Sequence, residues 1–126
     1  MTVPKQFTGE RRRRERRGRA AETLAVWALR LKGYRIIARR AATPYGEIDI
    51  LAARGDVLAV VEVKARPDIA AGIAAVQPRQ RRRIEQAAAW YAGRKPALAR
   101  RRLRFDIVVV TPRRWPHHIG DAWRPD

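Results

Sequence analysis

Apolar residues recur with helical spacing in two segments of the chain. The first segment runs from Gly18 to Lys32, and Gly33 follows it at a position suited to ending a helix. The second begins near Pro78, which fits the first turn of a helix, and stops at Gly93. The sequence therefore predicts two amphipathic helices, each with one face to pack against a core.

Four further segments are rich in β-forming residues and predict strands. They cover residues 34–40, 47–52, 57–66 and 103–111. A short edge strand is expected around residues 118–119, and a loop is expected over residues 67–75. The order α-β-β-β-α-β predicts an α/β fold in which a mixed sheet is flanked by helices.

Charged side chains interrupt the two strands that Gly55 is expected to join as a hairpin. A two-residue turn at Gly55 would place four of these side chains on the same side of the sheet: Glu47, Asp49, Glu62 and Lys64. The two allowed registers put Asp49 opposite either Val60 or Glu62. Opposed or diagonal side chains lie within roughly 4.5–8 Å of each other, so two carboxylates could share one cation.

This acidic cluster has two interpretations, and the residues alone leave both open. Carboxylates on an apolar sheet are costly unless they are paired or bound to a metal. Lys64 could neutralise one acid and make a structural ion-pair cluster, whereas the surplus acid favours a hard cation such as Mg²⁺. Glu22, at the edge of the first helix's apolar stripe, is a further candidate ligand unless it pairs with Arg19 one turn earlier.

The net charge of the chain indicates which class of partner it binds. The 126 residues include 29 Lys and Arg against 12 Asp and Glu, which gives a net charge of +17. Residues 1–17 are expected to form a flexible basic arm, and residues 18–126 a single domain. A field of this sign favours nucleic acid, although a compositional bias toward arginine would also produce it. The candidate phosphate contacts, with a solvated helix face as the alternative, are Arg66, Arg79, Arg82 and Arg83.

Composition also excludes several classes of protein. The absence of cysteine excludes disulfide scaffolds and thiolate-bound metals. No apolar run approaches the roughly 20 residues that span a bilayer, and the first ten residues lack the apolar core of a secretory signal. The chain is therefore expected to be soluble and cytoplasmic, with no membrane partner.

Two short motifs resemble the PD-(D/E)XK nuclease signature: Gly46-Glu47-Ile48-Asp49, and Val61-Glu62-Val63-Lys64 after the hairpin. Over about residues 16–123, the chain further resembles the small uncharacterised bacterial family typified by YraN. That family's pattern adds three motifs, which here are Gly18-x3-Glu22, Gly33-Tyr34 and Arg104-Phe105-Asp106. The chain departs from the full nuclease signature in one respect, because Ile48 precedes Asp49 where the signature has proline.

The resemblance implies a restriction-endonuclease-like core, similar to that of archaeal Holliday-junction resolvases. It implies that Asp49 and Glu62 bind Mg²⁺ or Mn²⁺ and that Glu22 completes the metal site. Lys64 would orient or activate the attacking water, or stabilise the charge that develops on phosphate. Glu47 is a less certain ligand, because it belongs to the family motif but is not required by the nuclease signature.

The implied function is a Mg²⁺-dependent endonuclease that acts on branched or structured DNA, with DNA favoured over RNA. Branched substrates present two strands to cut and would favour a homodimer. One alternative is a non-catalytic nucleic-acid-binding protein of the same fold. Another is a basic RNA- or ribosome-associated protein, which would leave the acidic cluster unexplained. Outside these motifs, His117 and His118 are expected at the surface, and Asp106 is expected to pair with an arginine.

Overall fold

The computed structural model describes the backbone of residues 5–126 and the side chains of residues 18–126. The helices in this range are α1 (Lys5–Leu31), α2 (Ile69–Ala74), α3 (Pro78–Gly93) and α4 (Pro96–Ala99). The strands are β1 (Arg35–Ala41), β2 (Ile48–Arg54), β3 (Val57–Ala65), β4 (Arg102–Val110) and β5 (His117–Trp123). None of the helices described is both long enough and apolar enough to cross a membrane.

The five strands form one mixed sheet in the order β1-β2-β3-β4-β5. β3 and β4 are parallel, and the other three neighbouring pairs are antiparallel. A parallel pair needs a crossover connection, which α2, α3 and α4 supply. The predicted α/β fold with a mixed sheet flanked by helices is therefore confirmed, and it is consistent with an α/β nuclease-like core.

Helices cover both faces of the sheet, and each face holds its own apolar core. Apolar residues of α1 pack on one face, namely Ala25, Val26 and Leu29. Apolar residues of α3 pack on the other, namely Ile84, Ala87, Ala88 and Ala92. The central strand β3 contributes to both cores, because Val60 packs beneath α3 and Val61 beneath α1. Glu62, which lies on this strand, is accordingly buried.

The β2–β3 hairpin adopts one of the two predicted registers. Arg54 pairs with Val57, so the turn consists of Gly55 and Asp56 alone, and Gly55 takes the left-handed φ of 58° that this tight reversal requires. The pairing runs on to Ile50 opposite Val61. One further step along the strands brings Asp49 beside Glu62, which is the closer of the two predicted arrangements.

The predicted loop over residues 67–75 is wrong in part, because it contains the short helix α2. Asp68 caps this helix, with its carboxylate accepting a hydrogen bond from the backbone N–H of Ala71 at 2.8 Å. Gly72 allows α2 to approach β4 closely, since a Cβ at this position would clash with the side chain of Val109. The edge strand predicted around residues 118–119 is confirmed as part of β5.

The basic arm predicted over residues 1–17 lies outside the part of the chain whose side chains are described. Residues 1–4 are not described, and residues 5–17 are described only as the backbone of α1. The helix bounds thus begin earlier than the predicted start at Gly18. The proposed flexibility of the arm and its part in binding stay predictions.

Candidate metal and nucleic-acid site

Asp49 and Glu62 lie side by side where the β2–β3 ladder ends. The carboxylate Oδ2 of Asp49 accepts a hydrogen bond from the backbone N–H of Val63 at 2.8 Å. Asp49 is half-buried, whereas Glu62 is only 3% exposed. We refer to Asp49 and Glu62 as the carboxylate pair. The predicted meeting of these two acids across the hairpin is confirmed.

The surroundings of the carboxylate pair disfavour a negative charge on both acids at once. Burial raises the pKa of Glu62, and the adjacent charge of Asp49 raises it further. Burial also raises the pKa of Asp49, although the hydrogen bond from Val63 and the charge of Lys64 oppose the shift. Oε1 of Glu62 is buried and has no hydrogen-bond partner among the described residues. A buried acid with an unsatisfied oxygen, next to a second acid, is suited to receive a cation.

Lys64 lies close enough to the carboxylate pair to lower the pKa of both members. Its Nζ donates to the side-chain amide oxygen of Gln80 at 3.3 Å. This is the amide orientation in which both the oxygen and the nitrogen of Gln80 have a hydrogen-bond partner. The amide nitrogen then donates to the carbonyl of Ala75 at 3.3 Å. Gln80, which the sequence analysis did not identify, therefore links α3 to the lysine of the motif.

Arg83 supports the turn that precedes β2. Its Nη1 donates to the carbonyls of Tyr45 and Glu47 at 3.1 and 3.2 Å. Gly46, which lies between them, has a φ of 109°, and a Cβ added there would come within 2.7 Å of the same Nη1. Through these bonds Nη1 fixes the backbone two residues before Asp49, and the predicted contact of Arg83 with phosphate stays a prediction.

Glu22 of α1 is held by two arginines of β1. Nε of Arg40 donates to both of its carboxylate oxygens at 3.2 Å, and Nε of Arg39 lies 3.5 Å from Oε1. These partners come from a neighbouring strand, whereas the alternative considered for Glu22 was Arg19 on its own helix. The carboxylate of Glu22 also raises the pKa of Asp49, although less than burial does.

A cavity of about 430 Å³ opens between α1 and the start of β2. It brings together three of the predicted site acids with other residues, and its lining is Gly18, Arg19, Glu22, Arg40, Glu47, Asp49 and Val63. We call it the carboxylate cavity. Glu47 is exposed at this cavity, whereas the ammonium of Lys64 lies against Gln80 on α3. The sequence predicted that Glu47, Asp49, Glu62 and Lys64 lie together on one side of the sheet. In the structure, Glu47 and Asp49 line the cavity beside α1, whereas Lys64 contacts α3.

The predicted metal ligands do not all converge. Within the part of the chain that the structure describes, no group of three or more His, Asp or Glu side chains is arranged to hold a metal ion. Asp49 and Glu62 are together, Glu22 is bound to arginines, and Glu47 is at the cavity's exposed side. Of the predicted ligands, the structure therefore brings only Asp49 and Glu62 together, and these two acids could hold a divalent cation.

Three of the four predicted phosphate contacts lie along one groove. This groove, which we call the α3 groove, has a volume of about 740 Å³ and is lined by Ala75, Gln77, Arg79, Gln80, Arg82, Arg83 and Gln86. Arg79 and Arg82 are exposed in it. Arg66 lies elsewhere, in the lining of an apolar cavity with Leu24 and Pro67, and its Nη1 donates to the carbonyl of Ala65.

A second buried charge cluster surrounds Asp106 on β4. The predicted pairing with an arginine is confirmed, because Arg104 donates to both carboxylate oxygens at 2.9 and 2.7 Å. The prediction that His118 lies at the surface is wrong, since its side chain is 6% exposed and its Nε2 lies 2.7 Å from Asp106. His117, the other histidine, is exposed as expected. Alternation along β5 separates the two histidines, and the buried acid explains which one turns inward.

Comparisons with known proteins agree with the motif resemblance. The model of the "Uncharacterised protein family UPF0102" matches residues 21–110. A UPF0102 protein of Parvibaculum lavamentivorans is 60% identical over 110 residues, which cover 87% of this chain and 83% of the relative. A second, from Chelativorans, is 53% identical over 113 residues, covering 90% and 91% of the two chains. A third, from Paramagnetospirillum magneticum, is 49% identical over 116 residues, covering 89% and 90%.

Proposed function

The chain belongs to the uncharacterised protein family UPF0102, and from the geometry of its acids we propose that it is a divalent-metal-dependent endonuclease acting on DNA. The observation that carries the proposal is the carboxylate pair. Glu62 is buried beside Asp49 with an unsatisfied oxygen, and Lys64 lies close to both. A structural ion pair with Lys64 would supply one positive charge for two adjacent acids.

In the proposed site, oxygens of Asp49 and Glu62 would hold Mg²⁺ or Mn²⁺. Such an ion lowers the pKa of a bound water and neutralises charge on a phosphate. Lys64 carries three donors, of which one is directed at Gln80, so the others can orient a water or a phosphate oxygen. Arg83 and Gly46 keep the backbone before Asp49 in place, so the acid does not depend on a mobile turn for its position.

The basic residues of the α3 groove would hold the flanking nucleic acid. Arg79 and Arg82 are exposed and lie on the same helix as Gln80, which contacts Lys64. Phosphate contacts of this kind position a duplex without reading its sequence. We propose branched or structured DNA as the substrate, in line with the resemblance to Holliday-junction resolvases. A cytoplasmic location and a homodimer that cuts two strands belong to the same proposal.

The proposal is tested with purified protein and three labelled substrates: a four-way junction, a duplex and a single strand. Each is incubated with Mg²⁺, with Mn²⁺ or with EDTA. We expect metal-dependent cleavage that falls at least about 100-fold in Asp49→Asn and in Glu62→Gln. Asp56→Asn is the matched control, because it removes an exposed acid from the turn of the same hairpin. Cleavage that survives in both site variants, or that is absent from the wild type, contradicts the proposal.

A non-catalytic DNA-binding protein is the second candidate function. It is favoured by the engagement of Glu22 with Arg39 and Arg40, which leaves two rather than three acids available to a cation. This function would give tight, salt-dependent binding with no product in any metal. Calorimetric titration with Mn²⁺ separates the two functions, since only the nuclease needs a cation site that Glu62→Gln abolishes.

A further inference from the structure

Arg40 is a residue of β1 whose backbone departs from strand geometry. Its φ of 49° lies in the left-handed region that residues with side chains rarely adopt. Consecutive side chains of a regular strand point to opposite faces. At Arg40 this alternation fails, and both Arg39 and Arg40 reach the carboxylate of Glu22. The unusual backbone therefore brings a second guanidinium to the same acid.

The guanidinium of Arg40 lies in the carboxylate cavity with Glu22, Glu47 and Asp49. Glu22 holds it through Nε alone, which is 3.2 Å from each carboxylate oxygen. The two Nη groups make no hydrogen bond to any residue between positions 18 and 126, and 40% of the side chain is exposed. Arg40 thus presents unused donors to the space beside the carboxylate pair.

Arg39 has the same charge and exposure as Arg40 but a different setting. Its Nη2 donates to the hydroxyl of Thr23 at 3.3 Å, and it does not line the carboxylate cavity. One arginine would be enough to neutralise Glu22, so a structural ion pair does not account for the strained backbone at Arg40. Strained residues that surrounding contacts hold in place are typical of functional sites.

We propose that Arg40 binds a non-bridging oxygen of the DNA phosphate that enters the carboxylate cavity, and that Glu22 holds the guanidinium in position. The inference rests on the proposed function, because it takes a phosphodiester as the occupant of the cavity. A guanidinium suits this role, since its planar donors match phosphate oxygens in pairs. Glu22 then acts as a positioning residue for Arg40 and does not complete the metal site.

If Arg40 has this role, removing its guanidinium changes the affinities for DNA and for a divalent cation in opposite directions. DNA binding weakens, because a phosphate contact is lost. Binding of a divalent cation strengthens, because a positive charge leaves the neighbourhood of Glu22 and Asp49. Arg39→Gln is the matched control, since it removes the same charge from the same acid outside the cavity.

The experiment measures two affinities for the wild type and four variants: Arg40→Gln, Arg40→Gly, Arg40→Lys and Arg39→Gln. Anisotropy of a labelled four-way DNA junction in EDTA, over a series of salt concentrations, gives the DNA affinity and its salt slope. Calorimetry with Mn²⁺, in the absence of DNA, gives the cation affinity. Arg40→Gly is included because glycine adopts a left-handed φ without strain, so this variant folds even if Arg40→Gln does not.

We expect Arg40→Gln and Arg40→Gly to bind the junction about 5- to 10-fold more weakly, with a salt slope smaller by about 0.9, the value for one lost phosphate contact. Arg40→Lys keeps the charge and should recover the slope. Mn²⁺ should bind several-fold more tightly to Arg40→Gln and Arg40→Gly than to the wild type, and Arg39→Gln should change both affinities less. Equal junction affinities and slopes for the Arg40 and Arg39 variants overturn the proposal.

Cleavage assays of the same proteins separate this inference from the proposed function. If the wild type cleaves the junction and the Arg40→Gln and Arg39→Gln variants bind and cleave it equally, the role of Arg40 is wrong and the nuclease function stands. If the wild type does not cleave, but loss of Arg40 selectively weakens junction binding, the nuclease function is wrong and the phosphate contact stands.

Discussion

The carboxylate of Asp49 accepts a hydrogen bond from the backbone N–H of Val63 at 2.8 Å, so a side chain continues the β2–β3 ladder where backbone pairing stops. This bond fixes the position of the acid independently of its charge. An asparagine at the same position could accept the same bond through its amide oxygen, whereas an alanine could not. The structural and electrostatic contributions of Asp49 can therefore be separated by substitution.

We expect Asp49→Asn to raise the free energy of unfolding in EDTA at neutral pH, because the charge of Asp49 helps to raise the pKa of Glu62 to about 8. An acid whose pKa rises on folding destabilises the fold at any pH above its ordinary pKa, and this cost becomes smaller when Asp49 is removed. Asp49→Ala should be less stable than Asp49→Asn by about 1–3 kcal/mol, because the N–H of Val63 loses its acceptor. Urea denaturation of the three proteins measures both differences. Equal stability of the two variants would show that the bond to Val63 contributes nothing.

Binding of a divalent cation should stabilise the wild type through Glu62. At a Mn²⁺ concentration of about 100 times the dissociation constant, we expect a gain of about 2.7 kcal/mol in the free energy of unfolding. Glu62→Gln should remove this gain, because it takes one of the two adjacent acids from the pair. Thermal unfolding with Mn²⁺ and with EDTA gives the comparison, and Asp56→Asn, which alters an exposed acid, should keep the full gain.

Gly46→Ala should destabilise the fold by about 1–3 kcal/mol, because its backbone conformation is one that side chains rarely adopt. The added Cβ would also press on Nη1 of Arg83 and disturb its bonds to the turn. Gly93→Ala is the control, since a Cβ there meets nothing within 4 Å. Chemical denaturation should show Gly93→Ala to be neutral or stabilising, and a similar loss in both variants would argue against strain at Gly46.

Asp106 should make stability depend on pH in the acid range. Burial alone would raise its pKa, but hydrogen bonds from His118, Arg104 and the backbone of Asp121 together lower it below the ordinary value of 3.8. A lowered folded-state pKa means that the stabilisation is complete above the ordinary value and is lost as the pH falls through the lowered one.

We therefore expect Asp106→Asn to cost about 3 kcal/mol at neutral pH, because it leaves Arg104 without its buried partner. The loss of wild-type stability below about pH 4 should be shallower in this variant. Denaturation at several pH values tests both expectations, with the exposed Asp56→Asn as reference. Parallel acid profiles for the wild type and Asp106→Asn would contradict the lowered pKa.

The meeting of Asp49 and Glu62 could be predicted from the sequence, because it depends on rules that are local and regular. Strand alternation and a two-residue turn at Gly55 leave two registers, and the structure adopts one of them. The helix over Pro78–Gly93 was predictable for a similar reason, since an apolar stripe and end signals lie in the same segment.

The contact between Arg40 and Glu22 could not be predicted, because the left-handed φ of Arg40 has no signal in the sequence. Alternation would direct Arg39 and Arg40 to opposite faces, whereas the partners considered for Glu22 from the sequence were a metal and Arg19, one turn earlier on its own helix. The burial of His118 was missed for a different reason. It depends on Asp106, a residue of the neighbouring strand that propensity and spacing do not relate to it.

The parallel pairing of β3 with β4 has a consequence for the order of folding. Val57 pairs with Arg102 only after the chain has passed through three helices, whereas the β2–β3 hairpin closes over two residues. Contacts that are close in sequence form with a smaller loss of chain entropy. We therefore expect the hairpin to belong to the folding nucleus, so that substitutions in it slow folding, whereas substitutions in β5 mainly speed unfolding. The two acids would then be brought together early, and the lysine's partner on α3 would join them late.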